Sequence, residues 1–263
     1  MMKSYLNLFK TAYVLFIKSF PVAYRFNVVQ IISYLFYPFL MFVPIFRKYR
    51  DTQFKFDNDI SKALLWCLRP LMTLDLGIEV IVDNAKIKNA VDTGRGVMMI
   101  GYHGTFTRLF LPYLQDHNYK FNTWSVCKDE VHAGRTFEHT MRPSSVGSFI
   151  KARDFLKNGE IVLGMNDFEG HYLKNCFEID SNFGKMFITD SFFKIAHKCD
   201  ARIMFAKYKM EGKKLWFEFA EPALASDTVE KITNDYVNFM RKQSTVASTQ
   251  PHTVPQFELP QLA

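Results

Sequence analysis

The stretch Val97-Met-Met-Ile-Gly-Tyr-His-Gly-Thr-Phe-Thr-Arg108 decides the fold class of this chain. Val97 to Ile100 form a short apolar strand, Gly101 closes it, and His103 stands just ahead of a helix expected over Phe106–Leu114. A strand that delivers a histidine at its carboxyl end places that side chain at the mouth of an α/β sheet, where ligands bind in such folds. Imidazole exchanges its proton near neutral pH, so a histidine there suits a general base. An ordinary loop or helix-start histidine satisfies the same pattern.

Reading outward, the β-branched run Ile78–Val82 predicts a strand, and Asp92-Thr-Gly-Arg-Gly96 a turn. Thr123–Cys127 reads as a further strand. Ser144–Asn158 reads as a helix, with Val146, Phe149, Ile150 and Phe155 on roughly one face. Glu160–Met165 is strand-like and ends in the polar turn Asn166-Asp-Phe-Glu-Gly170. A helix over Thr189–His197, strands over Arg202–Tyr208 and Leu215–Phe219, and an amphipathic helix over Thr228–Lys242 complete the pattern. The alternation predicts an α/β fold with a mixed central sheet flanked by helices. Two polar turns thus follow two apolar strands, one carrying His103 and the other Asp167 and Glu169. If the strands are neighbours, base and carboxylates meet at one sheet edge, and a carboxylate beside imidazole makes it a better base. Acidic residues are also common in turns for local hydrogen-bonding reasons.

The chain has 263 residues, a net charge of +7 and 27 phenylalanines. The phenylalanines suit an apolar tunnel, a membrane-facing surface or an aromatic core. Charge alone admits nucleic acid or an anionic membrane surface as partner. No basic run or nucleic-acid-binding signature is present, so no nucleic-acid partner is expected. Cys67, Cys127, Cys176 and Cys199 are scattered and read as reduced, buried thiols of a cytosol-facing protein.

At the N-terminus, Asn27–Phe46 carries no charge over a window the length of a membrane-spanning helix. Arg25 precedes it and Arg47, Lys48 and Arg50 follow, which favours the cytoplasmic face of a bilayer. Pro38 and Pro44 favour a bent or flat helix in competition with a spanning one. Leu6–Phe20, interrupted by Lys10 and Lys18, reads as an amphipathic helix lying on a surface. Residues 1–50 are therefore expected to be a membrane-associated helical segment and residues 51–263 the α/β domain. Two buried core helices are the competing reading of the same residues.

Gly101-Tyr-His-Gly104 resembles the histidine block of the lipid A late acyltransferases, the lauroyl and myristoyl transferases within the lysophospholipid acyltransferase superfamily. The segment from Phe149 through Leu156-Lys-Asn-Gly-Glu160 to Asp167 is similar to that family's helix–strand–aspartate block. Phe183-Gly184, Phe187-Ile-Thr189, Ile195-Ala196 and Cys199–Phe205 are similar to the blocks that follow. The likeness covers about residues 85 to 225 and rests on the order and spacing of several motifs.

The resemblance implies transfer of a fatty acyl group from an acyl carrier protein or coenzyme A thioester to a hydroxyl or amine of a lipid or glycolipid acceptor. It places the protein at the cytoplasmic face of the inner membrane. His103 becomes the general base, and backbone N–H groups after Gly104 stabilise the oxyanion. Arg135 and Arg142 fall where the family carries arginines, suggesting contact with an anionic acceptor or the carrier's phosphopantetheine. Phe168-Glu-Gly170 resembles a fragment of the superfamily's acceptor-contacting block, which assigns Gly170 to the acceptor. The family has an acidic residue five positions after the histidine, and this chain has Arg108. Either Asp167 or Glu169 replaces that acid, or Arg108 binds an anionic substrate group, or the chain is an inactive homologue that binds lipid or a partner enzyme. No cofactor is expected. His132, His139 and His171 are read without acidic or cysteine partners at ligand spacing, so no metal is assigned to them.

Overall fold

The computed structural model describes residues 2–42, 64, 67–71, 73–101, 109–125, 129–139, 141, 146–166, 176–181, 184–221 and 227–243. In chain order the principal elements are α1 (Met2–Lys18), α2 (Val22–Phe42), β1 (Glu79–Val82), α3 (Asn84–Val91), β2 (Val97–Gly101), α4 (Phe110–Asp116), β3 (Phe121–Thr123), β4 (Asp129–His132), β5 (Arg135–Glu138), α5 (Val146–Lys157), β6 (Ile161–Met165), β7 (Cys176–Ser181), β8 (Gly184–Thr189), α6 (Ser191–Lys198), β9 (Arg202–Glu211), β10 (Lys214–Phe219) and α7 (Val229–Gln243).

Six strands form a mixed sheet in the order β1-β10-β9-β2-β6-β3. The block β9-β2-β6-β3 is parallel, β10 is antiparallel to β9, and β1 is parallel to β10. Helices cover both faces. Phe193 of α6 and Tyr236 and Phe239 of α7 pack on Phe205 with ring centroids 6.3, 5.2 and 5.7 Å away. On the other face Phe110 of α4 packs on Phe217 and Phe219 at 4.8 and 5.6 Å. The opposition follows from register: Phe217 pairs with Tyr208, and Phe205, an odd number of residues away, points across the sheet. A strand covered on both sides needs apolar residues at every position. That is why Val97–Ile100 and Ile161–Leu163 are unbroken apolar runs, and all of them are buried.

The chain enters β2 through Gly96, hard against the end of α5. A Cβ on Gly96 would lie 2.2 Å from the Leu156 carbonyl oxygen and 2.6 Å from Leu156 Cα. Both are backbone atoms of a packed helix, so relief requires moving α5. Gly96→Ala is expected to destabilise the fold by about 3 kcal/mol, at the upper end of overpacking costs. A denaturant midpoint unchanged from wild type would refute this account.

The expected strand over 78–82, the helix over 144–158 and the helices at 189–197 and 228–242 are found with small changes of boundary. Other expectations need correction. Where a strand was expected over Thr123–Cys127, the described strand begins earlier and runs Phe121–Thr123, with Phe121 paired to Ile161, and residues 126–127 lie outside the described residues. The helix expected over Phe106–Leu114 is described only from Phe110, and residues 102–108 lie outside the described residues. The hairpins β4–β5 and β7–β8 and the helix α3 were not anticipated. The β4–β5 turn is Ala133-Gly134, with φ of 48° and 78°. Both values are left-handed, as a tight two-residue hairpin requires, but alanine in the first place is a weak turn signal.

The N-terminal helices pack on the body. Ile17 of α1 and Phe26 and Val29 of α2 are buried in the same cluster as Leu68, Leu71 and Leu76. Arg25 donates to the Asp75 carbonyl at 2.8 Å. Gly77, at φ +67°, lets the backbone pass α2, since a Cβ there would stand 2.5 Å from the Val22 carbonyl oxygen. Among the described residues no helix is long and apolar enough to cross a membrane. α2 carries Arg25 near its start and Pro38 within it, and residues 43–46 of the apolar window lie outside the described residues. Each helix nonetheless turns an apolar arc to solvent. On α1 it is Leu8, Phe9, Leu15 and Phe16, and on α2 it is Tyr24, Ile31, Tyr34 and Leu35.

Cys67 is buried, and desolvation pushes its thiol up to about 12. Cys199, expected to be buried, is half-exposed at the end of α6. Cys127 lies outside the described residues.

Candidate functional site

β2 and β6 are adjacent and parallel, with Gly101 opposite Met165. The carboxyl ends of the two strands therefore lie side by side at the same end of the sheet, about 5 Å apart. Three contacts fix that end. The Asn166 N–H donates to the Gly101 carbonyl at 3.0 Å, and the Tyr236 hydroxyl donates to the same oxygen at 3.1 Å. The fully buried Asn166 side chain grips Thr189 from both sides: its Nδ2 donates to the Thr189 carbonyl at 2.9 Å, and its Oδ1 accepts from the Thr189 N–H at 3.0 Å. Asparagine suits this role because one planar amide offers a donor and an acceptor together. The grip ties the end of β6 to the start of α6, which packs against β2 and β9.

Gly101 and Asn166, where the description of these two strands ends, are thus buried and hydrogen-bonded. His103, Gly104, Arg108, Arg142, Asp167, Glu169, Gly170 and His171 themselves lie outside the described residues. The sheet supplies the juxtaposition of their two strands. Asn166 and Tyr236, which hold that juxtaposition, were not singled out from sequence. A polar residue directly after a buried strand is the one signal that pointed to Asn166.

Arg135 opens β5, beside the hairpin turn. It donates to Asp116 at 2.5 Å and to the Pro112 carbonyl at 3.3 Å. The Asp116 hydrogen bond raises its pKa further above the ordinary arginine value. These contacts bind the hairpin to α4, and the Gly134 N–H adds a bond to the Thr73 carbonyl at 3.0 Å. Arg135 borders a cleft with Leu74, Ile78, Leu109 and Tyr113. Both contacts use Nη1, so an anion there would meet a guanidinium already paired with Asp116.

The same sheet edge carries a second polar group. After β3 the chain runs through Trp124 and Ser125 into the β4–β5 hairpin. Glu130, His132, Phe137 and His139 fall on one face of that hairpin, because Glu130 pairs with Phe137 and side chains alternate along each strand. The face turns inward: the His132 and His139 side chains are 3 % exposed and the Glu130 side chain 9 %. Glu130 Oε2 lies 3.0 Å from His132 Nε2 and 3.3 Å from His139 Nε2. Its Oε1 accepts from the Ser125 hydroxyl at 2.9 Å. His139 Nδ1 hydrogen-bonds the Thr123 hydroxyl, tying the group to the last residue of β3.

One buried carboxylate oxygen thus lies within 3.3 Å of two imidazole nitrogens, a donor set that can hold a cation. The sequence reading found no acidic partner for these histidines, and Glu130 corrects that statement. The pattern Glu130-x-His132 with His139 on the return strand becomes a cluster only once the hairpin register is known. The sequence matches no protein-family model, and no curated protein is significantly similar to it.

Proposed function

We propose that the protein is an acyltransferase working at a membrane surface, moving a fatty acyl group from an acyl carrier protein or coenzyme A thioester to a hydroxyl or amine of a lipid or glycolipid acceptor. The observation that carries this reading is the pairing of Gly101 with Met165 in adjacent parallel strands. It brings the backbone leading to His103 and the backbone leading to Asp167 and Glu169 to one edge, as a histidine–carboxylate base requires. The resemblance of Gly101–Gly104 and Phe149–Asp167 to the late acyltransferase blocks supplies the chemistry.

In this mechanism His103 removes the proton from the acceptor as its oxygen or nitrogen attacks the thioester carbonyl. Backbone N–H groups following Gly104 hold the oxyanion. Collapse expels the thiolate, which recovers the proton from His103. Asp167 or Glu169 stabilises the imidazolium, and Arg108, Arg135 and Arg142 serve anionic parts of acceptor or carrier. No cofactor enters beyond the thioester. Purified protein supplied with acyl-carrier and acyl-coenzyme A thioesters and a mixed lipid acceptor tests the activity. Asp167→Asn or Glu169→Gln is expected to lower turnover far more than Arg108→Ala, by about 100-fold, the scale of lost acid–base assistance. Unimpaired turnover in both carboxylate variants, with a dead Arg108→Ala, would assign the arginine to substrate and overturn the carboxylate role.

Arg108 favours a second reading, an inactive homologue that binds lipid or a partner enzyme. Absence of any thioester-dependent transfer, with lipid binding intact, would select it.

We place the protein at the cytoplasmic face of the inner membrane, lying on it through α1 and α2. Their exposed apolar arcs, with Lys10 and Lys18 on the same helical hairpin, suit an anionic interface. Because Ile17, Phe26 and Val29 belong to the core, deleting these helices would damage the fold. Substituting the exposed residues is the sharper test. Phe9→Ser together with Leu35→Ser is expected to reduce co-sedimentation with phosphatidylglycerol-containing vesicles by about 10-fold, from the apolar area lost. Unchanged sedimentation would locate the attachment elsewhere.

A further inference from the structure

We propose that Glu130, His132 and His139 bind a divalent transition-metal ion of the zinc class. The three donor atoms lie within 4.8 Å of one another, and all three side chains are more than nine-tenths buried. Two imidazoles and one carboxylate are a donor set that zinc and its neighbours accept. Ligands about 2.0–2.1 Å from a tetrahedral zinc stand roughly 3.3 Å from one another, and an octahedral arrangement brings them to roughly 3.0 Å. The observed separations of Glu130 Oε2 from the two Nε2 atoms, 3.0 and 3.3 Å, fall in that range.

Hydrogen bonding alone leaves the group incomplete. His139 Nε2 is buried and faces the carboxylate, yet it makes no hydrogen bond of acceptable geometry. A metal ion between the three donors satisfies that nitrogen. For His139 and Glu130 the surrounding contacts have the form of a ligand-orienting shell, while His132 Nδ1 is buried without a hydrogen-bond partner among the described residues. Thr123 engages His139 Nδ1 and so leaves Nε2 as the coordinating atom, while Ser125 occupies Glu130 Oε1 and leaves Oε2. An ion held here pins the β4–β5 hairpin to the end of β3, next to the carboxyl end of β6. The inference does not depend on the acyl-transfer reading, since metal binding is measured without turnover.

The full-length protein, stripped with a chelator and dialysed, is titrated with cobalt(II) and followed by visible absorption and metal content. The expected result is saturation at one ion per chain, with the spectrum lost on adding zinc. Glu130→Gln and His139→Gln are each expected to weaken binding by more than about 100-fold, and Thr123→Val by about 10-fold, the scale of lost outer-shell support. Hydrogen exchange over residues 129–139 is expected to slow when zinc is added. Absence of saturable cobalt binding by the wild-type protein overturns the proposal. Equal binding by wild type and the ligand variants overturns it too. Should a variant fail to fold, the wild-type titration decides alone.

Discussion

Replacing His103 by alanine is expected to lower acyl transfer by about two orders of magnitude or more, the usual scale for losing a general base. The acceptor hydroxyl is a poor nucleophile until a base takes its proton, and alanine offers none. The loss should fall on kcat and kcat/KM together, because the interaction exists only in the transition state. A purely catalytic role leaves the stability of the folded protein unchanged. Turnover by the purified variant, with its thermal unfolding as control, checks both halves. Near-normal turnover in a folded His103→Ala protein would remove His103 from the mechanism. Arg108→Glu, which restores the acid of the family pattern, should be tolerated or raise the rate. An arginine beside imidazole disfavours the imidazolium that forms during reaction, whereas a carboxylate favours it.

Asn166→Ala is expected to destabilise the fold strongly. It removes a buried amide that holds both the N–H and the carbonyl of Thr189, itself buried. Each of the two orphaned buried groups costs about 1–3 kcal/mol, so the loss is about 2–6 kcal/mol. For a chain of this size that corresponds to a fall in Tm of roughly 6–18 °C. Water entering the vacated site would reduce the loss, and a fall below about 2 °C would show that Thr189 is satisfied in another way. Tyr236→Phe removes only one of two bonds to the Gly101 oxygen and should cost about 1 kcal/mol. The contrast between the two variants separates the grip on Thr189 from the general stiffness of the sheet edge.

Much of the scaffold was legible because it rests on local periodicity. Val97–Ile100 and Ile161–Leu163 are apolar throughout because helices cover both sides of their strands, and that pattern needs no knowledge of neighbours. Helices α6 and α7 declare themselves by apolar spacing of three and four, whereas α5 buries Ser148, Ala152 and Leu156 and leaves Val146 and Ile150 of the expected apolar face exposed. The apolar N-terminus was legible as helix, but its apolar residues are divided between a buried side and an exposed side. Packing of Ile17, Phe26 and Val29 against the body decides that division.

Local chemistry specifies strands, turns and their punctuation, so the residues in line suffice to read an α/β chain with a histidine and two carboxylates just after two buried strands. Adjacency of those strands comes from the folded assembly, because pairing depends on contacts between residues far apart in the chain. The folded assembly also decided that Asn166 reaches Thr189, and that β4 and β5 turn Glu130, His132 and His139 inward together. A one-residue slip of that hairpin would send all three side chains to the opposite face. Register is fixed by the whole packed assembly, and for that reason the buried carboxylate between two imidazoles could not be read from the residues in line.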